Sequence, residues 1–299
     1  MNYRNENMEI KNFSFSDKHI RANVMSTLKT ESEHRDYIHS ITQLKLWFVW
    51  DWLRKHPEEN FRSVLRNRVD IFRKTGYYDP IRMNSDSPDF EVPGWRETED
   101  LLERVWKIHR RDKSSDAFED EASCAFREQL DKYAISSYEK SLLPPMMKCG
   151  SLTYHSPGAE SPDIIAVHIA NTLQPASIFD DPSYLPRCLR ELMDKSSVEF
   201  GVSKLHCGSW LNSHPRWLAL FPQEWTDSLS PQDLSVQWHL GFWGQFITAR
   251  GTFHERNAAK FRNLGQMPFA YRTADCTFDA LRVHLDALSL IKEEIFSTQ

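Results

Sequence analysis

Apolar residues in the first half of this chain fall at three- and four-residue steps; in the second half they gather in short runs. Between His34 and Lys55, the positions Ile38, Ile41, Leu44, Trp47, Phe48 and Leu53 trace one side of a helix, the spacing of a core-facing stripe. Ser32 and Glu33 open that helix and Pro57 interrupts it. The pattern resumes over Glu58–Lys74 with Phe61, Val64, Leu65, Val69 and Phe72. An earlier helix is expected from a Ser16-Asp17 cap to Leu28, and later ones over Thr98–Arg111 and Asp116–Ser141. Gly76–Gly94, with three prolines, two glycines and an Asn-Ser-Asp-Ser run, reads as a long loop. Leu143-Pro144-Pro145 closes the helical half and sets the expected domains at 1–143 and 144–299.

Beyond that boundary the texture is α/β. Strands are expected at Lys148–His155, Ile164–Ile169 and Val202–Cys207, with a turn at Pro157-Gly158 and an amphipathic helix over Tyr184–Phe200. Val236–Thr248 is aromatic-rich and reads as extended, with a helix as the alternative. Phe253–Asn263 and Thr277–Phe296 read as helices. The expected fold class is therefore α+β: a helical N-terminal domain, then an α/β domain with a mixed sheet.

Composition narrows the function classes. The 299 residues include ten Trp and eighteen Phe, enough for a large core, and carry a formal net charge of −5. Without a basic stripe, nucleic acid is not an expected partner. No apolar run approaches the roughly 20 residues of a membrane span, and the first residues lack the apolar core of a signal peptide. The five cysteines are scattered, with no Cys-x-x-Cys pair, so neither a zinc ribbon nor a disulfide scaffold is expected. A reduced, cytoplasmic protein acting on a small molecule is the resulting expectation, with oligomeric state left open.

The candidate chemistry lies where the strands end. Six of the twelve histidines fall between His155 and His254. His168 and His206 close their apolar runs, where parallel neighbours place them at one edge of a sheet; either is a candidate general base. Tyr154 is a candidate acid. Cys207 is a candidate nucleophile or a small core residue, and Ser209 a candidate turn or capping group. Asn171, Cys207, Ser209 and Trp210, at the same strand ends, are candidate substrate-binding residues, as are Trp238, His239, Phe242 and Trp243, which would line an apolar pocket. Arg262 and Gly265 partly match the R-x-x-G-x-G/A turn that cradles acyl-CoA pyrophosphate, with Met267 in the last position. No metal is predicted, because no HxH, HxxxH or HExxH occurs. The alternative is an iron or zinc enzyme with ligands converging from afar, for instance His168, His206 and Glu199.

His168-Ile169-Ala170-Asn171, Cys207-Gly208-Ser209-Trp210-Leu211-Asn212, Leu220-Phe221-Pro222, Met267-Pro268-Phe269 and Leu281-Arg282-Val283-His284-Leu285 follow one another at telling intervals. Over about Gly150–Leu288 this order resembles the C-terminal domain of bacterial GNAT-like N-acyltransferase proteins. Ala170 stands where that family has proline, Gly208 where it has histidine, and Asn212 where it has leucine. The resemblance implies a GNAT-like α/β domain and acyl transfer to an amine from a thioester donor such as acyl-CoA. His168 or His206 would then act as base and Tyr154 as acid. Backbone amides near a strand splay would polarise the thioester carbonyl. A third reading is a non-catalytic binding protein that keeps the fold.

Overall fold

The computed structural model describes residues 29–83, 88–143 and 147–297, with side chains as far as residue 290. The helix expected over Ser16–Leu28 lies outside the described residues. Helix α1, Glu31–Lys55, starts at a capping box: the Thr30 hydroxyl accepts from the Glu33 amide at 3.2 Å, and the Glu33 carboxylate accepts from the Thr30 amide at 2.7 Å. Glu31 and Glu33 in its first turn and Arg54 and Lys55 in its last complement the helix dipole. The predicted stripe is buried, but so are Leu46, Val49 and Trp50 on other sides. A helix apolar nearly all round must be covered all round, and the second half of the chain supplies part of the cover.

Around α1 pack α2 (Phe61–Val64), α3 (Trp95–His109), α4 (Asp116–Cys124) and α5 (Arg127–Ser141). Two expected long helices are broken. The helix expected over Glu58–Lys74 starts only at Phe61, after an Asn60 cap, and passes into a π-turn at Leu65–Val69. It stops where Asp70 turns left-handed, at φ 45°; there the Asp70 carboxylate pairs with Arg73 at 2.6 Å. The helix expected over Asp116–Ser141 divides at Phe126, whose φ of −137° and ψ of 20° leave the helical region and set its ring in the core.

The second half builds a sheet from β1 (Leu152–Tyr154), β2 (Ile164–Ile169), β3 (Lys204–Ser209) and β4 (Arg272–Thr277), ordered β1-β2-β3-β4. The outer pairs are antiparallel and the central β2/β3 pair is parallel. Helix α6, Tyr184–Phe200, makes the crossover between β2 and β3 and ends at Gly201, φ 69°. After β3 come the short α7 (Pro215–Leu218), α8 (Gln223–Asp227) and α9 (Leu240–Trp243), then α10 (Glu255–Leu264) and α11 (Phe278–Ser297). The extended reading of Val236–Thr248 gives way to α9 and a 3-10 turn at Gly244–Phe246. Phe242, Trp243 and Phe246 from this stretch, and Ala258 and Phe261 from α10, belong to the helical core, with Trp243 5.7 Å and Phe261 5.8 Å from the Phe48 ring. The helical core thus draws on both sides of Leu143.

Strand alternation gives the sheet two unlike faces. Leu152, Tyr154, Ile165, Val167, Leu205, Cys207, Ala274 and Cys276 are buried in one core with Leu189, Leu192, Leu281 and Leu285 from α6 and α11. Each such aliphatic side chain removed from water contributes about 1.5–3 kcal/mol. The other face carries Thr153, Ala166, His168, Lys204, His206, Gly208, Thr273 and Asp275, none of them buried.

Candidate functional site

The β2/β3 ladder runs Ile164↔Lys204, Ile165↔Leu205 and Ala166↔His206 and goes no further, although both strands continue for another three residues, to Ile169 and Ser209. The only parallel pair in the described sheet therefore opens at its C-terminal end. His206 stands at the last rung, and His168, two residues past Ala166, shares its face. The His206 Nδ1 lies 2.7 Å from the Asp275 carboxylate on the neighbouring strand, which leaves Nε2 available to a ligand. Asp275 is itself held by Ser228, whose hydroxyl accepts from the Asp275 amide and donates to its carbonyl, both at 2.8 Å. His168 is exposed, with the His155 ring 5.2 Å away. Its pKa is lowered, first by partial desolvation among its neighbours and then by the charge of His155.

Tyr271 reaches the same face. Its ring stacks on Phe242 at 4.6 Å and 17° and meets His239 at 5.3 Å. His239 is fixed in turn, its Nδ1 accepting from the Gly241 amide at 3.2 Å. The Tyr271 hydroxyl lies over Gly208, so near that a Cβ at that glycine would come within 2.1 Å of it. Gly208 pairs with Thr273 and lies two residues beyond His206. The hydroxyl has no hydrogen-bond partner among the described residues, and its pKa is raised, chiefly by burial. Its proton is kept at neutral pH and is free to be donated. Sequence reasoning missed both Tyr271 and Asp275. One signal was available: a glycine inside an apolar strand marks a close approach by another group.

Other predicted residues are placed elsewhere. Tyr154 is buried on the helix-covered face, opposite His168, and its hydroxyl donates to Glu199 at 2.9 Å. Burial, then Glu199, pushes its pKa up to about 12. It borders a broad hollow of about 720 Å³ with Lys148, Asp194, Lys195, Val198 and Glu199; this hollow lies across the sheet from the histidines. Cys207 also faces the core, its thiol pushed up to about 12 by burial, so thiolate chemistry is suppressed. Ser209 is buried and caps the following turn by accepting from the Leu211 amide at 3.2 Å. Asn171 braces loops, donating to the carbonyls of Ala176 at 2.9 Å and Ala249 at 3.0 Å. Trp210 packs on Phe269 with centroids 5.6 Å apart.

Trp238 lies under the Arg73 guanidinium at 4.0 Å, and the Trp243 indole donates to the Arg68 carbonyl at 3.0 Å inside the helical half. Of the aromatic candidates, only His239 and Phe242 touch Tyr271. The Arg262 guanidinium grips the Glu119 carboxylate with two bonds of 2.7 and 2.6 Å, and Gly265 ends α10 at φ 65°. Arg262 therefore ties two helices together, and Gly265 terminates one. Among the described residues, no three His, Cys, Asp or Glu side chains converge to hold a metal ion, and no helix is long and apolar enough to cross a membrane.

Asn212 is the keystone of the loop after β3. Its amide donates to the carbonyls of Cys207 at 2.8 Å and Arg272 at 2.9 Å, and its oxygen accepts from the indoles of Trp217 at 3.0 Å and Trp225 at 3.3 Å. Every hydrogen-bonding position of this fully buried side chain is filled. No family model, curated protein or solved structure matches the chain.

Proposed function

We propose that the protein is an N-acyltransferase that moves an acyl group from a thioester donor, such as acyl-CoA, to the amine of a small molecule. One observation carries the reading: the parallel pair opens just past Ala166↔His206, and an Asp-bound histidine and an unpartnered tyrosine hydroxyl stand on the opened face. Backbone amides released by the opening would bind the carbonyl oxygen as it gains charge. The His206 Nε2 takes a proton from the acceptor amine as its nitrogen attacks the thioester carbonyl carbon. The C–S bond then breaks, and the Tyr271 hydroxyl protonates the departing thiolate. The proton on His206 returns through solvent to the phenolate, restoring both groups. Asp275 holds the imidazole tautomer and steadies the imidazolium. Tyr271 replaces Tyr154 in the acid role, because it shares the histidine face.

The test is release of free thiol from a panel of acyl-CoAs in the presence of amines. His206→Ala should lower the rate by about 100-fold or more, the usual worth of a positioned base. Failure of every donor to release thiol above the buffer rate would sink the proposal. A second reading, a non-catalytic binding protein of this fold, is favoured by the engagement of Arg262 with Glu119, which leaves the donor's pyrophosphate no cradle there. Under that reading acyl-CoA or amine binding persists and His206→Ala changes no rate.

A further inference from the structure

A cationic cluster sits in the helical half, near the loop that follows β2. Lys74 donates to the Tyr133 hydroxyl at 2.9 Å and lies 5.2 Å from the centre of that ring. With its oxygen used as an acceptor, Tyr133 keeps a free O–H to donate. Lys29 lies 5.9 Å over the Tyr37 ring and reaches the Gly251 carbonyl at 3.5 Å. Both lysines are half-buried, and neither has a carboxylate partner among the described residues.

The carboxylates of neighbouring segments are taken: Glu33 by Arg250 and the Thr30 amide, Asp131 by His39, and Asp70 by Arg73. His34 borders the same cluster, with the rings of Tyr37 and Tyr138 6.4 and 5.9 Å away, and is only 6% exposed. Ser137 donates to the Ala134 carbonyl, so its oxygen accepts from the His34 Nε2–H at 2.7 Å. That leaves the buried Nδ1 with no partner among the described residues. The positive charge of Lys29 and Lys74 bears on this ring and, after burial, helps to hold its pKa at about 4. In a chain of net charge −5, two half-buried ammonium groups with no carboxylate partner among the described residues, together with spare hydroxyl donors, carry a cost that a bound anion would remove.

We propose that Lys29, Lys74, Tyr37 and Tyr133 form a binding site for a phosphate-class dianion, either free phosphate or a phosphate monoester. Two ammonium groups match the charge, and the phenolic O–H groups supply directed donors to its oxygens. The cluster is joined to the candidate active face through Gly251. Its carbonyl meets Lys29, a Cβ on it would come 3.0 Å from the Gln174 amide oxygen, and nearby Ala249 accepts from Asn171 beyond the end of β2. A phosphorylated small molecule anchored here would extend toward that strand end. The site stands on its own geometry and does not depend on acyl transfer.

Calorimetric titration of the full chain with inorganic phosphate and, separately, with ribose 5-phosphate tests the proposal. Saturable binding of one equivalent is expected. Lys29→Met and Lys74→Met should each weaken it about tenfold, the worth of one charge-assisted bond, and Tyr133→Phe by less. Tighter binding of ribose 5-phosphate assigns the site to a phosphorylated metabolite, and tighter inorganic phosphate to the free ion. Absence of saturable binding of either compound overturns the proposal, as does binding that stays unchanged in both lysine variants. Should Lys74→Met fail to fold, Lys29→Met and Tyr133→Phe decide the question alone, since neither removes a bond within the core.

Discussion

The two halves of the molecule treat polarity in opposite ways. The helical half buries charge: Glu99, fully buried, is gripped by Arg66; Lys45 lies at the core against the Val69 carbonyl with its pKa lowered to about 7 by burial; and His34 is held neutral. The sheet half buries neutral groups, the Asn212 amide, two indoles and four cysteines, and leaves its described charged side chains at least partly exposed. Perturbed titration alone does not single out the site, because it occurs in both halves, at His34 and Lys45 in one and at His168, Cys207 and Tyr271 in the other. In the helical half it reports packing, whereas His206 combines a carboxylate partner with access to solvent. A displaced pKa marks function only when the group can also be reached.

Asn212→Leu breaks the sheet half hardest. It would leave two carbonyls and two indole N–H groups without their partner in a dry core, at a cost of about 4 kcal/mol. Denaturant unfolding followed by tryptophan fluorescence should show the lower midpoint, with Trp217 and Trp225 as local reporters. Because no titrating group is involved, the loss should be the same at pH 5 and pH 8. A loss below about 1 kcal/mol would mean that the loop after β3 has another support.

The helical half should answer to acid instead. His34 titrates at about 4 when folded, against 6.5 for an ordinary imidazole, so between those values the unfolded chain binds a proton that the folded chain refuses. Stability is fully present above pH 6.5 and is lost as the pH falls toward 4. The gap corresponds to at most about 3 kcal/mol. His34→Gln should flatten the stability profile across this window while leaving the profile of Asn212→Leu untouched. An unchanged slope in His34→Gln would assign the acid response to another group.

How far the sequence discloses this arrangement depends on where each element gets its stability. Ile164–Ile169 and Tyr184–Phe200 are predicted to the residue, since apolar periodicity bounds both and Gly201 stops the helix. Strand β4 goes unpredicted because Arg272-Thr-Ala-Asp-Cys-Thr buries only Ala274 and Cys276. Its outer edge is completed by partners far along the chain: the Ser230 hydroxyl on the Thr273 amide at 2.8 Å, Ser228 on Asp275, and Glu224 on the Thr277 amide at 3.1 Å. The candidate site divides likewise. His168 and His206 are visible because they end apolar runs. Asp275 and Tyr271 are not, since one lies on the unpredicted strand and the other reaches the site only through ring stacking. Tyr154 and Cys207 are visible too, yet a strand shows its residues to opposite faces in turn, and which face stays open is decided by α6 and α11.

Gly208→Ala is the smallest perturbation and the sharpest for the site. The added methyl would fall 2.1 Å from the Tyr271 hydroxyl and 3.0 Å from its ring carbon, so the ring must tilt away from its stack on Phe242. The stability cost should be modest, about 1–2 kcal/mol, as for other overpacked contacts. Thiol release should fall much further, because the acid is moved while His206 and Asp275 remain in place. Tyr271→Phe separates the two effects: it keeps the ring and removes a hydroxyl that no described residue bonds, so stability should hold while turnover drops. If Tyr271→Phe turns over as fast as the parent while Gly208→Ala is slow, the ring shapes the open strand end and the proton for the leaving group comes from solvent. The histidine would then be the only protein group in the chemistry.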